Sequence, residues 1–593
     1  MRGFFRQAAL DDPYLRSLIC DANIRMHVRG RPDILLFSFG RVTGESVRQI
    51  TVPKFQGDRM TFVNPSFRII AVAALAIFPG STLARSGEPL PVESGLIADV
   101  AADASGVRGF KGIPYASPPV GDLRWKRAVP AKPWDEVRKA EEWGPRCMQS
   151  NRLGDIDPLN KRMEEDCLYL NVWTPARSSS EKLPVMFWIH GGSNNVGSGS
   201  QPDYDGANLA KKGVVVVTIN YRLDVFGFLA HPELTAESGA NSSGNYGLLD
   251  QIAALQWVQQ NISAFGGDSG SVTVFGESAG AFDISLLMVS PFAKGLFARA
   301  IGESGGALTP IPAFGPKPLR VGEQDGVKFA KELGVSSVAE LRAKSAQEVL
   351  QAAIKTPIVY GFGVVDGYVV PEHPAKAYAQ GKQHEVPLLA GWNTDEGTLF
   401  AARLVKWGPD LPSYTERIRT QFKDHAEEVL KLYPPGATAE DDKRSFAELF
   451  GDELIAYGNW AWIERNATRP TPPTYRYYFM RRPPGAPELS VNPLAAPGVY
   501  HAAELYYAWN NLQIRDWPWE DADRRLADVM STYWVNFAKT GNPNGSGLPE
   551  WPIYKPGGSG QVMQLGKEIA VRGEQRRDRY EFFDAYYQKL GSP

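Results

Sequence analysis

A serine hydroxyl becomes a useful nucleophile where a turn lifts it clear of a sheet and a base can take its proton. Gly276-Glu277-Ser278-Ala279-Gly280 offers such a turn. Val272, Val274 and Phe275 precede it without a charge, the pattern of a strand buried on both faces. Phe282, Ile284, Leu286 and Leu287 follow it as a helical run. Strand, G-x-S-x-G and helix together make the setting of a nucleophile elbow. Gly276 and Gly280 permit the tight turn and close helix packing. Ser278 then stands at a helix N-terminus, whose dipole favours developing negative charge. Gly302-Glu303-Ser304-Gly305-Gly306 matches the same pattern, but Thr309, Pro310 and Pro312 come next. Proline there argues against a helix directly behind Ser304, which is expected to be structural or to hydrogen-bond near the site.

The serine needs a base, and the base needs an orienting acid, in the chain order Ser, then Asp or Glu, then His. His373, His384, His425 and His501 are the histidines after Ser278. His373 and His384 precede the best acid candidates, and His425 lies in the charged helical stretch KDHAEEV. His501 remains, in a loop that contains Pro497 and Gly498, a setting that suits a catalytic residue. Asp395 and Glu396 follow the short apolar strand Leu388-Leu389-Ala390, and the residues alone leave the choice between these neighbours open. Histidine as base predicts a rate that rises through roughly pH 6–7.

The elements that must position these groups are legible as alternation. Val185 to Ile189 is an apolar strand ending in His190-Gly191-Gly192-Ser193, where glycines let backbone N–H groups face a cavity. Val214 to Ile219 is another strand. Leu248, Ile252, Leu255, Val258 and Ile262 mark one face of a helix leading into the elbow strand. Strands alternating with helices imply a large, mostly parallel central sheet with helices on both faces. Its reaction centre is expected at the carboxyl ends of the strands, where the His190 loop and Ser278 fall. Phe110 to Trp125 reads as an ordered, irregular surface segment. Residues 405–480 read as helices covering the sheet, some over the site, and 534–554 as a cap.

The chain resembles the type-B carboxylesterases of the α/β-hydrolase superfamily, the family that includes the cholinesterases. The resemblance runs from about Val92 to the C-terminus. It rests on GESAGA, on EDCLYLNVWTP at 165–175 and on GNYGLLDQIAALQWVQQNISAFGGD at 244–268. It implies an α/β-hydrolase fold with helical insertions over the active site. It implies Ser278 as nucleophile, Glu396 as acid and His501 as base. It implies an oxyanion hole from the N–H groups of Gly192, Ser193 and Ala279, with Gly191, Gly276, Glu277 and Gly280 supporting the site. It implies a Cys147–Cys167 disulfide and ester hydrolysis without metal or organic cofactor. Three positions depart from the family pattern. Ser193 stands for a third glycine and Ala502 for the glycine after the histidine. No tryptophan lies between Cys147 and Cys167, which argues against choline esters. The rival readings are a non-catalytic adhesion protein on the same fold, disfavoured because Ser278, Glu396 and His501 are all present, and a lipase, for which nothing marks an interfacial lid.

Bulk properties narrow the class. The 593 residues carry 64 Lys plus Arg and 66 Asp plus Glu, so charge offers no reason to propose nucleic acid or an anionic membrane as partner. The cysteines are Cys20, Cys147 and Cys167, with no C-x-x-C and no H-E-x-x-H to suggest a metal. A small-molecule ester is the expected partner. Arg68, the apolar run Ile69 to Phe78 and the small residues near Ala84 form the three parts of a secretory signal. The run is shorter than the ~20 residues a bilayer span needs. The expected organisation is a poorly ordered extension at 1–59, upstream of a working start at Met60. A signal at 60–84 and one hydrolase domain at 85–593 follow. The product would be secreted or periplasmic, or cytoplasmic or membrane-anchored if 1–59 are genuine.

Overall fold

Unbroken apolar strands need cover on both sides, and those at the centre of the chain's largest sheet, which has ten strands among the described residues, receive it. The structure is a computed structural model. It describes the backbone of 24–29, 34–41 and 49–53, and residues 87–590 apart from 151–156, 158, 310–314, 357–360, 405–411, 470, 486–497 and 558–559, with 402–404 in backbone only. The chain divides into two units, 1–83 and 84–593. In the first, Ile24–Arg29, Ile34–Arg41 and Gln49–Pro53 pair as an antiparallel sheet. The apolar run at 69–78 and the expected cleavage site lie outside the described residues.

In the second unit the strands are β1 (Arg108–Pro114), β2 (Tyr169–Thr174), β3 (Leu183–Ile189), β4 (Val215–Ile219) and β5 (Gly267–Glu277). They continue as β6 (Arg299–Glu303), β7 (Leu388–Asn393), β8 (Thr474–Phe479), β9 (Gln561–Leu565) and β10 (Ile569–Gly573). Their spatial order is β1-β2-β4-β3-β5-β6-β7-β8-β9-β10. The run from β4 to β9 is parallel throughout. The three pairs at the edges are antiparallel. β3 and β5 lie side by side, which brings the His190 loop against the elbow.

Alternate residues of each strand feed different cores. Val185, Phe187 and Ile189 of β3 face one core, with Leu248, Ile252, Leu255 and Val258 of α1 (Tyr246–Asn261). Met186 and Trp188 face the other, with Leu526, Met530 and Trp534 of a long helix, Asp521–Thr540. The helical face expected at Leu248 to Val258 is thus the face that packs.

Three expectations need correction. Phe110 to Trp125 is not a surface segment: its first residues form edge strand β1, and Phe110, Ile113, Tyr115 and Trp125 are buried. Of the prolines and glycines that suggested a loop, Gly112 lies within the strand where its register shifts, and the others lie at or beyond the strand end. Residues 405–480 hold helices, among them Ala439–Gly451 and Tyr457–Asn466, but also strand β8. TYRYYF hides as a core strand because Arg476 sits in its middle, and burial of that charge is answered by Glu574. The 534–554 stretch is no cap. Trp534 belongs to the long helix, Trp551 is buried, and β9, β10 and a last helix, Arg577–Lys589, follow.

Candidate active site

The elbow forms as the spacing predicts. β5 ends at Glu277, Ser278 takes φ 54° and ψ −121°, and α2 (Ala279–Leu287) starts at once. Positive φ is costly for a residue with a Cβ, and the site holds it in place. The Ser278 N–H donates to Glu303 O at 2.9 Å, and Ser278 O accepts from Phe282 N–H at 3.0 Å. α2 packs so tightly on the end of β3 that a Cβ at Gly280 would lie 2.0 Å from Ile189 O. A Cβ at Gly191 would lie 2.6 Å from Glu277 Oε2 and 3.0 Å from Ser278 Cβ. The loop carrying Gly192 and Ser193 therefore lies directly against the turn that carries Ser278.

His501 and Glu396 come together from loops 105 residues apart, with Nδ1 2.6 Å from Glu396 Oε2. The other Glu396 oxygen accepts from Asn393 N–H at 2.7 Å. Phe400 packs on the imidazole with ring centres 4.9 Å apart. His501 Nε2 lies 3.1 Å from Glu277 Oε1. The remaining histidines serve elsewhere: His373 Nδ1 caps the helix Pro374–Ala379, and His425 lies against Tyr586.

Charge at this ring is unusual. Burial disfavours the imidazolium, but the carboxylates of Glu277, Glu396 and Glu504 outweigh it and raise His501 above the ordinary 6.5. Burial raises Glu277 in turn, His501 opposes that, and Glu504 and Glu396 add to it. Each thus favours the charged form of the other, the carboxylate of Glu277 supporting the imidazolium and the imidazolium supporting the carboxylate.

Sequence reasoning missed the carboxyl cluster behind the site. Glu504 is fully buried; it accepts from Asn393 Nδ2, and from Ser304 Oγ at 3.2 Å. Glu303 accepts from Trp534 Nε1 at 2.9 Å. Ser304 has φ 52°, close to that of Ser278, yet no helix starts in the described residues directly behind it. It hydrogen-bonds behind the site, as its sequence context suggested. The one local signal for Glu504 was its place three residues after His501. Cys147 and Cys167 are joined by a disulfide. Among the described residues there is no cluster of three metal-ligating side chains.

The profile described as the carboxylesterase family matches residues 94–583. The chain belongs to the carboxylesterase family. This carboxylesterase is 37% identical over 493 residues to fumonisin B1 esterase of Sphingopyxis macrogoltabida, covering 80% of this chain and 86% of the relative. It is 35% identical to the para-nitrobenzyl esterase of Bacillus subtilis (strain 168), over 80% of this chain and 94% of that one. Among solved structures, a PNB esterase superposes with a TM-score of 0.69 at 34% identity, covering 84% of this chain and 99% of that one. A Geobacillus stearothermophilus carboxylesterase gives 0.71 at 33%, covering 84% and 100%. The carboxylesterase fold is an α/β-hydrolase fold, and the protein is a carboxylic ester hydrolase.

Proposed function

We propose that this carboxylesterase works through Ser278, His501 and Glu396 by way of an acyl-enzyme. His501 Nε2 takes the Ser278 proton as Oγ attacks the ester carbonyl carbon. Glu396 holds the Nδ1–H tautomer and stabilises the imidazolium. The N–H groups of Gly192, Ser193 and Ala279 receive the oxyanion. The tetrahedral intermediate collapses and the alcohol leaves with the proton held by His501. Water, activated by the same imidazole, then cleaves the acyl-Ser278 ester and regenerates the hydroxyl. No step calls on a metal or organic cofactor.

The observation that carries this reading is the 2.6 Å contact between His501 Nδ1 and Glu396 Oε2, with Nε2 of the same ring 3.1 Å from Glu277, the residue before the serine that takes the strained elbow conformation. A fluorophosphonate should label the protein once, on Ser278, with parallel loss of activity on p-nitrophenyl and p-nitrobenzyl esters. Labelling at Ser304, or full activity after labelling, would overturn it.

The disulfide supports a second reading, export with a signal at 60–84 and a mature chain from Arg85, because such bonds persist in oxidising compartments. Intact mass of the enzyme recovered from each compartment of its host tests this. A cytosolic chain that keeps residues 1–59 and three alkylatable thiols would sink it.

A further inference from the structure

Gly192, Ser193 and Asn194 take positive φ in succession, at 101°, 56° and 54°. Left-handed backbone is unfavourable for a residue with a Cβ. The loop therefore needs an anchor, and Asn194 is fully buried and bonded on every side. Its Nδ2 donates to Asp283 Oδ1 at 2.9 Å and to Gly361 O at 2.7 Å. Its Oδ1 lies 2.7 Å from the Tyr221 hydroxyl, which lies equally close to His190 O. Its own carbonyl accepts from Asp224 N–H at 2.6 Å.

Asp283 is the unexpected partner. It sits on α2, five residues after Ser278, fully buried, and the chemistry does not use it. Gln251 Nε2 of α1 donates to its other oxygen at 2.5 Å. Burial pushes the carboxyl up to about 7, against the hydrogen bonds from Gln251 and Asn194. A carboxyl so placed costs stability. What it secures is a link between the two halves of the oxyanion site: the Gly192–Ser193 loop on one side and α2, which begins at Ala279, on the other.

We propose that Asp283 and Asn194 are positioning residues that fix the spacing of the Gly192 and Ser193 N–H groups from that of Ala279. This rests on the triad and oxyanion reading above. Asp283→Asn keeps the clamp. Its Oδ1 still accepts from Asn194, and its Nδ2 can donate to Gln251 Oε1, which has no hydrogen-bond partner among the described residues, once that amide turns over. Asp283→Ala and Asn194→Ala remove it.

The test compares these variants with the wild type by fluorophosphonate titration of competent sites, kcat/KM per site, and affinity for an alkyl trifluoromethyl ketone. With that ketone Ser278 Oγ bonds to the carbonyl carbon, the serine proton passes to His501, and the carbonyl oxygen becomes the oxyanion. Per titrated site, the alanine variants should lose about 10- to 100-fold in kcat/KM, less than the 10²–10³ for deleting a donor outright. Ketone affinity should fall by the same factor, and Asp283→Asn should recover most of both. Alanine variants that match wild type per site overturn the clamp, and so does an Asp283→Asn as impaired as Asp283→Ala. A wild type that does not titrate at Ser278 overturns the triad reading and the clamp with it.

Discussion

Asp395 and Glu396 adjoin in the chain, yet their carboxylates serve different parts of the loop that carries His501. Asp395 Oδ2 accepts from Val499 N–H at 2.6 Å, holding the backbone two residues before the histidine. Glu396 Oε2 meets the imidazole itself. Glu396→Gln should therefore lower kcat by roughly 10³–10⁴-fold, because an amide there favours the wrong tautomer. Asp395→Asn keeps an acceptor for Val499 and should cost about tenfold or less, because a hydrogen bond is weakened from charged to neutral rather than lost. Steady-state kinetics on one ester ranks the two, and the reverse order would move the acid by one residue.

Ser278→Ala should abolish turnover by several orders of magnitude, to the residual rate of roughly 10³–10⁴ over water that an oxyanion site sustains alone. Ser304→Ala loses one hydrogen bond to buried Glu504. It should lower thermal stability by about 1–3 kcal/mol and leave most activity, since Glu504 keeps its bond from Asn393. Kinetics and thermal melts on both variants separate a nucleophile from a structural hydroxyl.

The proposed mechanism requires His501 Nε2 to be unprotonated. Because nearby carboxylates raise the imidazole above 6.5, the rate should begin to fall with acid at a higher pH than an isolated histidine gives. Glu277→Gln removes one negative charge 3.1 Å from Nε2, weakens the imidazolium and should move the acid limb to lower pH. The profile of kcat/KM from pH 5 to 10 measures this, and a limb that stays put in the variant would exclude Glu277 as the cause.

The Cys147–Cys167 bond closes a loop with a sequence separation of 20. Replacing both cysteines by serine should destabilise the fold by about 3 kcal/mol in the chain-entropy account. Denaturant melts of the double variant against the oxidised wild type test the size, and equal midpoints would mean that the loop is held by packing instead.

The sequence by itself determined the elements whose cause is local. The elbow needs only a strand, five consecutive residues and a helix, so Ser278 was identifiable and Ser304 could be set apart by the prolines behind it. The apolar runs of β3, β4 and β5 announced strands covered on both faces, and the spacing from Leu248 to Val258 announced the packed face of α1. What only the tertiary structure decided depends on residues distant in the chain. The residues alone left Asp395 and Glu396 open, and the family resemblance alone favoured Glu396; the fold shows which of the two carboxylates meets the imidazole 105 residues away. Strand β8 was hidden because its central Arg476 can be buried only beside Glu574, a partner 98 residues on. Glu504, Asn194 and Asp283 carry no periodic or motif signal. Each is a buried polar group whose place is stable only when hydrogen-bond partners from other elements meet it, and that meeting is a property of the folded chain.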